Sequence, residues 1–219
     1  GYGTLAVPSV HIGFSGQPSV KFVQGLERGC IQESTIPVAL VSLGEWITLK
    51  DKFMPIACTS GESELLLSSG AIHLMAAGAG TNPGLVELCR RLNIPVVSAT
   101  DILEPSGIVQ QAREVYSTRS QASLFADTSA AAEGQVLMSS EHMGQMIDGG
   151  SGDKVALIGG ADSFQMSLGQ LPVELATALR DKGLQVAGWG DAALWMIKNG
   201  LMADEQEKSL FALENSQGP

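Results

Sequence analysis

The chain has 219 residues, enough to bury a real core in one large domain or two small ones. Hydrophobic residues make up 44% of it and charged residues only 16%, which excludes a disordered chain. The net charge of −10 repels a phosphate backbone, and the only basic doublet, Arg90–Arg91, reads as the positive last turn of a helix, so nucleic acid is excluded as a partner.

No apolar run reaches the roughly 18 residues that a membrane span needs. The start, GYGTLAVPSV, lacks the charged leader of a signal peptide and reads as if cut from something longer. Three scattered cysteines (Cys30, Cys58 and Cys89) argue for a reducing compartment, hence a cytoplasmic protein, and against a disulfide framework.

In chain order, an apolar run over Val7–Phe14 predicts a strand, and Pro18 opens a helix that runs to about Cys30. Pro37–Ser42 is a continuous apolar strand of the kind covered on both faces. Pro55–Cys58 predicts a short strand, Gly61–Ser69 a short helix closed by Gly70, and Ile72–Ala77 another strand. Asn82-Pro83 starts a helix ending near Asn93, Ile94–Ala99 is a strand, and a helix covers Glu104–Gln121. The small, polar, Gly-ended stretch after it is read as a linker, residues 125–135, between a first unit, 1–124, and a second, partial unit, 136–219. In the second unit a helix is expected over Val136–Ile147, strands over Lys154–Gly159 and Leu184–Gly188, and helices over Pro172–Lys182 and Ala192–Asn199. The polar tail Ala203–Pro219 is expected to be helical and then frayed. Strands alternating with helices imply an α/β fold: two Rossmann-like units with parallel sheets flanked by helices. Only two clear strands fall in the second unit, too few to stand alone, so it is expected to lean on the first unit or on a partner chain.

Parallel sheets bind ligands beyond the carboxyl ends of their strands, so those ends hold the candidate chemistry. Gly78-Ala79-Gly80-Thr81-Asn82 precedes a helix and offers backbone N–H groups to an anion, with Gly78, Gly80, Thr81 and Asn82 as candidate binding residues. Pro83 breaks the full dinucleotide fingerprint, and the tight-turn reading is preferred. Cys58, in Cys58-Thr59-Ser60-Gly61, is placed like a nucleophile at a helix start, although a buried structural thiol is the preferred reading. Asp162 and Asp191 each follow a strand of the second unit and are candidates for paired acid–base work, with helix capping as the competing role. Trp189 and Trp195 line a pocket or anchor a core. His11, His73 and His142 share no metal-ligand spacing, and the first two fit satisfied core histidines.

Several segments together carry a resemblance. Pro55–Leu65, Gly70–Met75, Asn82-Pro83 with its helix, Ile94–Thr100, Val155–Asp162, and Leu184–Leu194 followed by Lys198–Met202 occur in an order and spacing similar to the Rossmann domains of the nickel–iron carbon monoxide dehydrogenase catalytic subunit. The resemblance covers nearly the whole chain. It implies a scaffold that holds a nickel–iron–sulfur cluster through one histidine and several cysteines at strand ends. At the matching positions this chain has Phe14, Ser42, Gly80, Ala161 and Gly190. None is a thiolate or imidazole ligand, so no metal site and no cofactor is expected. The resemblance therefore implies a cluster-less subunit that docks to a protein partner within a larger, redox-type complex. The alternative is a small-molecule enzyme that uses Cys58 or the Asp162/Asp191 pair.

Overall fold

The computed structural model describes residues 5, 8–30, 36–44, 47–49, 52–100, 105–118, 137–138, 155–159, 166–188, 190–201 and 210–213. The chain divides into two compact units, Gly1–Ala130 and Ala131–Pro219. The expected linker, 125–135, lies outside the described residues.

The first unit is built on a five-stranded sheet with the order β5-β2-β1-β6-β7, every neighbouring pair parallel. Its strands are β1 (Val10–Ser15), β2 (Val38–Leu43), β5 (Ile56–Cys58), β6 (Leu74–Ala77) and β7 (Val96–Ser98). A two-stranded antiparallel ribbon, β3 (Thr48–Leu49) and β4 (Lys52–Phe53), interrupts the β2–β5 connection. All six residues of β1 are buried, as the central strand of a sheet covered on both faces requires.

Alternation along the strands sorts side chains to two layers. Val10, Ile12 and Phe14 join Phe22, Val23 and Leu26 of α1 (Val20–Cys30) and Ile108, Val109, Ala112 and Tyr116 of α4 (Pro105–Thr118) in one core. Val41, Leu43 and Met75 join Leu66 and Leu67 of α2 (Ser63–Ser68) and Leu85 and Cys89 of α3 (Pro83–Arg91) in the other. Each large apolar side chain so buried contributes roughly 1.5–3 kcal/mol. In α3 the side chain of Asn82 caps the amino end by accepting from Gly84 N–H at 2.8 Å, and Pro83 fills the first turn. Arg90 and Arg91 stand in its last turn and pair with Glu87, the electrostatically favoured end for the basic doublet.

The second unit carries a four-stranded parallel sheet, β8-β11-β10-β9, and not the two strands expected. Its strands are β8 (Leu137–Met138), β9 (Val155–Ile158), β10 (Gln185–Gly188) and β11 (Leu210–Leu213), with helices α5 (Gln170–Asp181) and α6 (Asp191–Lys198). Two expectations are thereby corrected. Leu137–Met138 is a strand where a helix was expected to begin, and the tail is a strand at Leu210–Leu213. Both are short and gain their hydrogen bonds from strands remote in sequence, which local periodicity cannot announce.

In the second unit α6 is buried from Asp191 to Met196. The α-carbon of Gly169 lies against the Trp195 indole so closely that no Cβ fits there. Among the described strands β9 is an edge, and its Leu157 is exposed at 54%. Leu171 and Leu175, four apart and so in one row along α5, are exposed at 49% and 41%, and Leu168, just before the helix, at 51%. No helix of the described residues is long and apolar enough to cross a membrane.

Candidate functional site

The order of the first sheet fixes where a ligand would sit. The chain steps from β1 outward through β2 to β5, then returns to β6 on the other side of β1. The switch point is therefore between the carboxyl ends of β1 and β6, where open α/β sheets form their crevice. Residues 15–17 and 77–81 meet at this point.

The two loops are joined there by backbone hydrogen bonds. Gln17 N–H donates to the Ala79 carbonyl and Ala79 N–H to the Gln17 carbonyl, both at 2.8 Å, and Gly78 N–H donates to the Ser15 carbonyl at 2.8 Å. The Thr81 hydroxyl lies 2.6 Å from the Ser15 carbonyl and 2.9 Å from that of Gly78. Glycine permits this approach. A Cβ on Gly16, which has φ +70, would lie 2.6 Å from the Ala79 carbonyl oxygen, and one on Gly78 would collide with the backbone of Gln17. The ends of β2 and β5 meet in the same way, since a Cβ on Gly44 would strike the backbone of Ser60.

This geometry decides what the Gly-rich candidates can do. Of Gly78, Gly80, Thr81 and Asn82, the N–H groups of Gly78 and Thr81 bond to carbonyls of the two loops, and the Asn82 side chain caps α3. A phosphate needs several N–H groups converging on open space. Of the two glycines, Gly80, at φ +81, has open space beside its α-carbon and Gly78 does not.

Cys58 ends β5 and is buried, with Sγ 3.8 Å from the Ser63 hydroxyl. That hydroxyl in turn lies within 3.4 Å of the Leu43 and Thr59 carbonyls. Next to it, the Glu62 carboxylate reaches back to Thr59 N–H at 3.0 Å, fixing the turn. The thiol thus sits among short polar groups that join β2 to β5. Asp191 opens α6 at 7% exposure, behind Gly190 at φ 60; a carboxylate there is favoured by the helix dipole. Asp162, Ala161, Trp189 and His142 lie outside the described residues. Trp195 is buried, with Lys198 Nζ 4.4 Å from its ring centroid.

The described residues do not fit a nickel–iron–sulfur cluster. Phe14 is fully buried and packs edge-on against Phe22, with ring centroids 6.2 Å apart. Ser42 is buried, and Gly80 and Gly190 bring no side chain. Among the described residues no three His, Cys, Asp or Glu side chains come together, and such clusters require thiolates. All three cysteines are free of disulfides. Glycines at Gly16, Gly44 and Gly78 mark the turns that meet in the first unit, yet which turns meet is a tertiary fact.

No protein-family model matches the sequence, and no curated protein matches it either. Solved structures do. Carbon monoxide dehydrogenase IV from Carboxydothermus hydrogenoformans is similar over 96% of this chain, with a TM-score of 0.69 and 15% identity. A nickel-free carbon monoxide dehydrogenase from Thermococcus sp. AM4, produced without its maturase, is similar over 92%, with a TM-score of 0.67 and 18% identity. A chain of an acetyl-CoA synthase/carbon monoxide dehydrogenase is similar over 95%, with a TM-score of 0.63 and 12% identity. The chain spans 44%, 38% and 41% of those three chains, less than half of each. Its fold is therefore the two-unit α/β fold of carbon monoxide dehydrogenase chains, as the order of its motifs implied.

Proposed function

We propose that this chain is a cluster-less relative of the carbon monoxide dehydrogenase core that serves as a partner-docking or scaffold component of a larger complex, without metal chemistry of its own. The observation that carries the reading is the closed switch point. At the crevice that would hold a ligand, backbone hydrogen bonds between residues 15–17 and 78–79 and the Thr81 hydroxyl tie the two loops together. A fold kept without its crevice retains its surfaces as its usable feature. The exposed leucines of the second unit support this, because isolated soluble surfaces seldom align several large apolar side chains in one row.

Metal analysis of anaerobically purified protein tests the reading. Nickel and iron should both be far below one equivalent per chain; stoichiometric amounts of either overturn it. The enzyme alternative is tested on the same sample by thiol labelling. A Cys58 that reacts faster than a free thiol would favour that alternative.

A further inference from the structure

A second buried polar cluster lies at the opposite end of the first sheet, away from the closed crevice. His11 is the second residue of β1, and His73 immediately precedes β6. Their exposures are 4% and 6%. The rings stack with centroids 5.8 Å apart and 22° between planes, and His73 meets Tyr116 of α4 edge-on at 5.0 Å.

The hydrogen bonds assign the protons. His11 Nδ1 lies 3.1 Å from the Ala71 carbonyl, which can only accept, so Nδ1 carries the hydrogen. In the neutral ring His11 Nε2 is then the acceptor, and it faces the Ser9 hydroxyl at 2.9 Å. His73 Nδ1 accepts the backbone N–H of His11 at 2.9 Å, so it is unprotonated. One neutral pair thus ties the amino end of β1 to the 70–73 turn and to the last turn of α4.

We propose that the His11–His73 pair is an acid-sensitive latch: neutral, it locks β1, the 70–73 turn and α4 together, and protonation of His11 releases them. A proton on His11 Nε2 turns Ser9 from donor to acceptor and places a cation against a stacked imidazole inside the core, where charge is poorly solvated. Among the described residues, few charged side chains stand on the elements packed against it. β1 and the 70–73 turn carry none besides the two histidines. From α4 come Tyr116, the exposed Glu114, and Arg113, which interacts with Cys30 of α1. Burial holds the His11 imidazole below its ordinary value of 6.5, against the opposing pull of the Ala71 carbonyl. The unfolded chain therefore binds more protons than the folded one just below pH 6.5. The latch's contribution is fully present above that pH and is lost as pH falls toward the folded value.

The test compares urea unfolding of the full chain and of His11→Asn from pH 7.5 to 5. Asparagine keeps a donor for the Ala71 carbonyl and removes the titration. The ratio of the wild-type to the variant unfolding constant should rise on acidification, by at most about tenfold per pH unit. Parallel pH dependences overturn the latch. Should His11→Asn fail to fold, imidazole nitrogen NMR of the wild type decides. His11 should carry its proton on Nδ1 at neutral pH and titrate below 6.5. The other tautomer, or titration at or above that value, overturns it. The latch does not depend on the docking role proposed above, and neither test bears on the other.

Discussion

Three glycines at strand-end turns do different work, and substitution separates them. Gly16 and Gly80 both have positive φ, +70 and +81, so a side chain strains either by roughly 1–2 kcal/mol. Only Gly16 is also walled in, by the Ala79 carbonyl and by Thr81. Gly16→Ala should therefore cost about 3 kcal/mol or more, and Gly80→Ala roughly 1–2, read as shifts of the urea midpoint. Equal costs would mean that the crevice is open at Gly16. Gly78→Ala belongs with Gly16→Ala, since its new methyl meets the backbone of Gln17.

The cysteines give a second prediction at this scale. Burial pushes the Cys30 thiol up to about 11, with Arg113 pulling it down and Glu27 pushing it up by less. Against the ordinary 9.0, that leaves about a hundredfold less thiolate at pH 8, and alkylation should be slower than for a free thiol by a comparable factor. The raised value also fixes a sign. The folded chain holds this proton above pH 9 where the unfolded chain releases it, so the contribution to stability is intact below that pH and declines between it and about 11.

Among the elements, α3 shows how far local chemistry reaches. Asn82, Pro83 and the basic last turn announce both ends of the helix in the sequence, and the structure places them there. Asn82→Ala should cost about 1 kcal/mol by uncapping α3. Inorganic phosphate should leave the unfolding midpoint of the wild type unchanged, because the N–H groups of Gly78 and Ala79 bond to the facing loop and that of Thr81 to the Gly78 carbonyl. A phosphate-dependent midpoint would restore the anion-binding reading of Gly78–Asn82. The apolar runs of β1, β2 and β6 are equally legible, being continuous and doubly covered. The illegible elements are those whose existence depends on a distant partner. β11 is four residues in a polar tail, paired to β10 and β8; β3 and β4 are two residues each. For the same reason the candidate site was half legible. Its residues were named from the strand ends, but its closure rests on Gly16 meeting Ala79, two turns that β2 and β5 separate in the chain.

Across the whole molecule, the proposed separation of the fold from metal chemistry is measurable. A domain whose core needs a metal couples binding to folding, so chelation unfolds it. The first unit instead rests on two apolar cores, with fully buried Ile12, Phe14, Leu74 and Met75 on the central strands. Apolar burial of that extent is a driving force that needs no metal ligand. Thermal unfolding of the full chain should then have the same midpoint with and without a strong chelator, and anaerobic incubation with iron, sulfide and nickel should leave it unchanged. The leucine row sets the complementary expectation. Leu171→Glu with Leu175→Glu alters exposed positions, so the midpoint should move by no more than about 0.5 kcal/mol in stability. The same double change should abolish co-purification with whatever chain the native protein carries, because two carboxylates would have to be desolvated at the contact. Retained association in that variant would move the docking surface elsewhere on the chain. A chelator-sensitive midpoint would return the cluster to the fold.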